Sequence, residues 1–501
     1  MRKNCTSPRV SKGDTYNIGS LILASVAIFF VSHIQITAQN TIPEPSAAKS
    51  VNVPAVREFK LKNGLTVAVI EKTGVPLVTV QLLVRSGADS ETIRNAGLAN
   101  MTASMLTKGT KTRTAEQIAE EVEFLGSSID SGAGWNNSVV SIGTTTDKLD
   151  QTMAILADVV LNPAFKKDEL DLLKSQSLDD LKANLSQPGF LATYAATVYS
   201  LGEHPAGGTP ASLEALSHED IVSFYSKYYR PDSSVLLFAG DITPAKANSI
   251  AENLFGKWHQ TAAGGTRPEK VSESISSSSE KTIIRRMLVV DLPNSGQASV
   301  NFYKPIWIGR GDKDYYTASV LNSLLGGGYS SRLNQEIRIK RGLSYGAGSS
   351  FTWRRRKTNF GTRTQTKNES AAEVAELVVA ELKRLAETNS TESELNPRKL
   401  VLTGNFGRNL ETNGGLAGAL ADLYSFYLPT NILNAYTTSV SSICDANVKA
   451  FAAQQLNDGD MIIVGDYSVF KDDLTKRFPN MKIDIIKADE LDIAMPNLRK
   501  Q

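Results

Sequence analysis

Hydrophobic and polar positions fall into a readable order from about residue 58. Glu58–Leu61 and Leu65–Ile70 flank Asn63-Gly64, a dipeptide that supplies the positive φ angles of a tight turn, so a β-hairpin is expected. Val78–Val84 continues as a third strand. The period then lengthens. Ala96–Thr107 has a helical pattern, and Thr114 with Gln117 three residues on forms a capping box that opens a further helix, which Gly126 is placed to stop. Helical stretches cover Asp147–Val160 and Lys167–Ala183, and the apolar strand Val235–Ala239 closes this half.

Between Thr261 and Lys281 the chain turns to Gly, Ser, Pro and charge, with four serines in a row from Ser276 to Ser279, and is read as a linker. The pattern then repeats. The third strand of the first half runs into Arg85-Ser86-Gly87-Ala88-Asp89 and a helix ending at Lys108-Gly109. In the second half Val300–Ile308 runs into Gly309-Arg310-Gly311-Asp312 and a helix ending at Gly326. Ile221–Tyr229 followed by Val235–Ala239 and Gly240-Asp241 resembles Val448–Leu456 followed by Met461–Val464 and Gly465-Asp466. Gly240 and Gly465 lie 225 residues apart, a domain-sized period that points to duplication of one α+β unit.

A length of 501 residues fits at least two domains. The 54 Lys plus Arg against 52 Asp plus Glu leave a net charge of +2, too even for attraction to nucleic acid or an acidic membrane by a global field. The first forty residues differ from the rest. Arg2, Lys3, Arg9 and Lys12 precede an uncharged apolar run from Ile18 to Val31, short for a span and suited to a signal-peptide core, with Thr37 and Ala38 before a cleavage point at Gln39. Residues 1–38 are therefore expected to be a signal peptide or an N-terminal anchor, and either exports the chain to the periplasm or envelope. Of the two cysteines, Cys5 lies in that segment and Cys444 near the end, so no disulfide is expected in a processed chain.

The run Ala96-Gly97-Leu98-Ala99-Asn100-Met101-Thr102-Ala103-Ser104-Met105-Leu106-Thr107-Lys108-Gly109-Thr110 resembles the active-site helix of the pitrilysin/insulinase metallopeptidase family, whose active members carry the zinc motif H-x-x-E-H there. The two histidine positions hold Asn100 and Ser104, and the general-base glutamate position holds Ala103. The resemblance places the third ligand, a glutamate in the family, at Asp180 beside Asp179. Catalytic zinc takes about three protein ligands, and an amide, a hydroxyl and one carboxylate are poor substitutes, so no metal is expected in this chain. Nor do histidines elsewhere form a zincin-type pair: His204, His218 and His259 are never within four residues of one another, and the first two read as a loop and a helix start.

A second signature of the family is intact. Leu333-Asn334-Gln335-Glu336-Ile337-Arg338-Ile339-Lys340-Arg341-Gly342-Leu343-Ser344-Tyr345 resembles the segment whose arginine and tyrosine, seven residues apart, bind substrate backbone and steady the oxyanion; here they are Arg338 and Tyr345. Gly326, Gly327 and Gly328 are not followed by the Lys-Ser/Thr of a phosphate loop, and resemble the glycine-rich, peptide-contacting segment of the noncatalytic subunit of mitochondrial processing peptidase. Trp353-Arg354-Arg355-Arg356-Lys357 reads as a charged hairpin tip in water, with guidance of acidic peptides or of a partner as the alternative.

The resemblance covers about residues 55–485. It implies an α+β fold of two homologous domains, 55–260 and 282–488, each an antiparallel sheet of about six strands with helices packed on one face. A leader (39–54), the linker (261–281) and a tail (489–501) complete the chain. It also implies a noncatalytic subunit that binds unfolded peptides and lends Arg338 and Tyr345 to a zinc-bearing homologous partner, the zinc residing in that partner. No nucleic acid is expected, and no membrane contact except through an N-terminal anchor. The alternative is a structural or peptide-binding core-type protein with no part in proteolysis.

Overall fold

The computed structural model describes residues 53–259, 283–495 and 497–500. The expected signal segment or anchor, the linker, and all of the leader but Val53 and Pro54 lie outside the described residues, as does Cys5. The first half supplies β1 (Arg57–Lys60), β2 (Thr66–Glu71), β3 (Leu77–Val84), α1 (Leu98–Met105), α2 (Ala115–Phe124), β4 (Ser128–Ala133), β5 (Ser138–Thr145), α3 (Leu149–Leu161), α4 (Lys167–Leu185), α5 (Pro188–Tyr199), α6 (Pro210–Ala215), α7 (His218–Tyr228), β6 (Ser234–Gly240) and α8 (Pro244–Phe255). The second supplies β7 (Ile284–Asp291), β8 (Ala298–Ile306), α9 (Tyr315–Leu325), β9 (Ala347–Thr352), β10 (Thr358–Thr366), α10 (Ala371–Glu387), α11 (Glu392–Leu410), α12 (Asn413–Ser425), α13 (Ile432–Ser441), α14 (Asp445–Gln455), β11 (Gly459–Gly465), α15 (Tyr467–Arg477) and β12 (Ile483–Lys487).

Local chemistry explains the entry to the first sheet. Gly64 adopts φ 95° and turns β1 onto β2, while the Asn63 amide donates to the Phe255 and Trp258 carbonyls and ties the hairpin to the end of α8. Thr114 and Gln117 exchange the hydrogen bonds of a capping box at α2, and Gly126 follows that helix at φ 62°.

Each half forms one six-stranded sheet, ordered β1-β2-β6-β3-β5-β4 and β12-β7-β11-β8-β10-β9. Five consecutive positions correspond, so the duplication is visible strand by strand, with β6 and β11 ending at Gly240 and Gly465. The expected antiparallel sheets are in fact mixed, since β2 runs parallel to β6, and β7 parallel to both β11 and β12. Parallel neighbours need a long crossover, and the helices between β5 and β6, and between β10 and β11, provide it. Both closing strands are buried along their whole length, as their unbroken runs Ser234–Gly240 and Gly459–Gly465 require.

The expectation of helices on one face also needs correcting, because each sheet is covered on its second face by a helix from the other half. Leu416, Ala417, Leu420 and Leu423 of α12 pack on Ala68, Leu83, Val235 and Leu237 of the first sheet. Leu191, Ala192, Ala195 and Ala196 of α5 join a cluster with Leu288, Val290, Ile462 and Val464 of the second. Pro188 and Asn413, which open these two helices, are again 225 residues apart, so equivalent elements are exchanged. Each leucine buried this way contributes roughly 1.5–3 kcal/mol.

The hairpin tip after β9 is a clamp between the halves, which corrects its reading as a charged tip in water. Arg355 donates to Asp89 (2.8 Å), to the carbonyls of Arg85 (3.0 Å) and Asn136 (2.5 Å), and to that of Ser425 (3.1 Å). Arg354 and Lys357 both reach Glu203, at 2.5 and 2.9 Å, and Arg354 lies over the Trp135 ring. Apart from Ser425, their partners are more than 150 residues distant, which is why the patch looks unpaired in one dimension. Arg356 alone of the four cations is exposed.

Candidate functional site

Helix α1 starts from Gly97, whose φ of 94° suits glycine, and its first turn is capped by the Glu91 carboxylate, which accepts from the N–H groups of Gly97 (2.9 Å) and Ala99. The Glu91 side chain is fully buried, and burial pushes its pKa up to about 7 against the lowering effect of those two N–H donors. His204 Nδ1 lies 3.8 Å from it, with its own pKa lowered by burial and its ring against Trp135. Along the helix, Asn100 is exposed and accepts from the N–H of Ala133 at 3.5 Å, Ala103 is fully buried, and Ser104 is half-buried. Asp180 lies exposed on α4, which packs against α1.

This donor set does not fit zinc. Ala103 offers a methyl, Asn100 and Ser104 offer neutral oxygens, and Asp180 is a single carboxylate. Among the described residues no group of three or more His, Cys, Asp or Glu side chains is arranged to hold a metal ion. His218 opens α7 behind its Ser217 cap, and Cys444 is a free, exposed thiol before α14.

The second cluster lies in the other half. Residues Asn334–Ile339 form a π-helical turn, a geometry frequent at functional positions, and it carries Arg338. The Arg338 guanidinium lies 4.7 Å from the Tyr345 ring centre and 4.9 Å from that of Tyr329, so the two tyrosines flank it. Tyr345 is 90% exposed and Tyr329 64%. Among the described residues no carboxylate or carbonyl pairs with the Arg338 guanidinium, and no partner bonds the Tyr345 hydroxyl.

The glycines hold this cluster against β9, the end strand of its sheet. A Cβ on Gly326 would stand 2.2 Å from the Ser349 nitrogen, whose N–H donates to the Gly326 carbonyl at 3.3 Å, so only glycine fits there. Gly327 is crowded by Ser323, whereas a Cβ on Gly328 would meet Arg398 Nη1 only at 3.9 Å. Asn334 accepts from the Ala347 N–H and donates to the Tyr329 carbonyl. Helix α11 anchors the loop from behind: Arg332 forms a two-pronged pair with Glu394 (2.7 and 2.8 Å), and Arg398 donates to the Ser330 carbonyl. The hydrogen bonds from Arg332 hold the Glu394 carboxyl below its usual range against the raising effect of burial.

These elements border an open cleft of about 850 Å³ between α5 and the β9–β10 hairpin, lined by Gly326, Gly328, Tyr329 and Arg338 among others. The structure thus brings Arg338, Tyr345 and the glycines together, and keeps Asn100, Ala103, Ser104 and Asp180 in the other half. Tyr329 and Glu91 were missed from the sequence. An aromatic residue directly after three glycines was the available signal for Tyr329; nothing local marks Glu91 as the cap of a helix that starts seven residues on.

Comparisons with known proteins agree with the two-half fold. Residues 66–202 match Insulinase (Peptidase family M16), and residues 215–400 match the Peptidase M16 inactive domain. The chain is 30% identical over 295 residues to an uncharacterized zinc protease of Rickettsia felis, covering 58% of this chain and 68% of that one. Among solved structures, the peptidase M16 inactive domain from Pseudomonas fluorescens superposes with a TM-score of 0.74 at 24% identity, over 82% of this chain and 98% of that one. The periplasmic protease PqqL from Escherichia coli gives 0.66 at 15% identity, over 87% and 51%. The chain belongs to the insulinase family, peptidase family M16.

Proposed function

We propose that the chain is a noncatalytic subunit of a zinc-dependent peptidase of this family. In this reading it binds unfolded peptides in its cleft, and a homologous partner supplies the zinc and the general base. Arg338 and Tyr345 then donate hydrogen bonds to the peptide carbonyl and to the oxyanion that develops on it, which strengthens as charge accumulates in the transition state. The observation that carries this reading is the Arg338–Tyr345 pair itself, a guanidinium and a 90% exposed phenol held together at the rim of a cleft with their donors unclaimed. Export to the periplasm or envelope is part of the proposal, supported by the apolar run Ile18–Val31 and by the periplasmic protease among the structural neighbours.

The test is turnover of an unstructured peptide by the complex of this chain with its zinc-bearing partner. Arg338→Ala is expected to lower kcat/KM by at least about tenfold, and Tyr345→Phe by a smaller factor, with assembly intact. Unchanged turnover in both variants would remove catalytic assistance and leave a structural or peptide-binding member of the fold.

A further inference from the structure

The whole chain is nearly neutral, at +2, but its cleft is not. Three guanidiniums line it, those of Arg338, Arg354 and Arg363, and no carboxylate does. Arg363 is exposed on β10, and among the described residues neither it nor Arg338 is paired with an acid. Arg354 has Glu203 at 2.5 Å, but the same carboxylate also serves Lys357 at 2.9 Å, so two cations share one anion and this wall keeps a positive charge. The Arg354 Nη1 makes that ion pair, whereas its Nε is buried without an acceptor. A partly desolvated cation that is incompletely matched attracts an incoming anion more strongly than one in water.

The remaining wall indicates what kind of anion fits. Gly346, Gly348, Ser349 and Ser350 present backbone and hydroxyls, which suit an extended main chain. Single-stranded nucleic acid would require exposed aromatic platforms for its bases. Phe360 is fully buried and Tyr303 nearly so, which leaves Tyr329 as the one broadly exposed ring in the lining. We propose that the cleft selects extended peptides rich in Asp and Glu, through Arg338, Arg354 and Arg363. This rests on the peptide-binding reading above and adds a substrate class to it.

The test is binding of an unstructured peptide bearing glutamates, of its glutamine counterpart and of its lysine counterpart, each with a neutral fluorophore, to the full chain. At low salt the glutamate peptide is expected to bind about tenfold tighter than the glutamine peptide, as three partly exposed ion pairs allow, with the lysine peptide weakest. The advantage should shrink at physiological ionic strength. Arg363→Gln, on an exposed strand position, should reduce the glutamate-to-glutamine ratio to about threefold. Equal binding of the two peptides, an unchanged ratio in Arg363→Gln, or oligothymidylate binding as tightly as the glutamate peptide would each overturn the proposal. Equal peptide binding leaves the subunit reading standing, whereas no binding of any peptide sinks both. Loss of the turnover effect at Arg338 and Tyr345 with the glutamate preference intact removes catalytic assistance alone.

Discussion

Glu91 places a fully buried carboxylate under the first turn of α1, next to Asp89 and a His204 whose own burial disfavours its protonation. The two backbone donors there hold the charged form, but burial is the larger influence and raises the pKa from 4.5 to about 7. Between those values the folded chain keeps a proton that the unfolded chain has released. Stability therefore falls as pH rises through that window, by up to about 3 kcal/mol. Glu91→Gln cannot titrate, so its urea midpoint should be flatter than that of the wild type from about pH 5 to about pH 8. Superimposable pH profiles would mean that the carboxylate is ionised throughout. Neither this cap nor the flanking of Arg338 by Tyr329 could be read from spacing, since both are made by segments without a local pattern. The Arg338–Tyr345 spacing, by contrast, was legible at once, and the structure does bring the two side chains together.

At the scale of elements, the parts written into local chemistry were legible: the hairpin at Asn63-Gly64, the capping box at Thr114 and Gln117, and the helix stop at Gly126. What an amphipathic stripe leaves open is its partner. The apolar residues of α5 and α12 announced burial but could not say that each lies on the other half's sheet. The Trp353–Lys357 tip shows the same limit, because the acids and carbonyls that satisfy it come from distant segments. Arg355 alone makes four hydrogen bonds, three of them to the other half, so Arg355→Ala takes a donor from Asp89 and from three carbonyls. The variant should lose about 2–4 kcal/mol in urea unfolding. A loss within about 0.5 kcal/mol, usual for surface changes, would show that the tip does not clamp.

For the whole molecule, reciprocal exchange makes the halves mutually dependent. Ala68, Leu83, Val235 and Leu237 are covered by α12, and Val290, Ile462 and Val464 share a core with α5, so neither sheet is closed within its own half. Residues 53–260 and 282–501 made as separate chains should therefore associate one to one when co-expressed, and each should aggregate when made alone. Two independently soluble monomers on size-exclusion chromatography would contradict the exchange. The same architecture separates the two clusters chemically, with Arg338 and Tyr345 in one half and Asn100, Ala103 and Ser104 of α1 in the other. The most direct test of that division is zinc content measured together with peptidase activity on the purified full-length chain. The account predicts neither stoichiometric zinc nor chelator-sensitive cleavage, whereas one zinc per chain with cleavage abolished by chelation would contradict it.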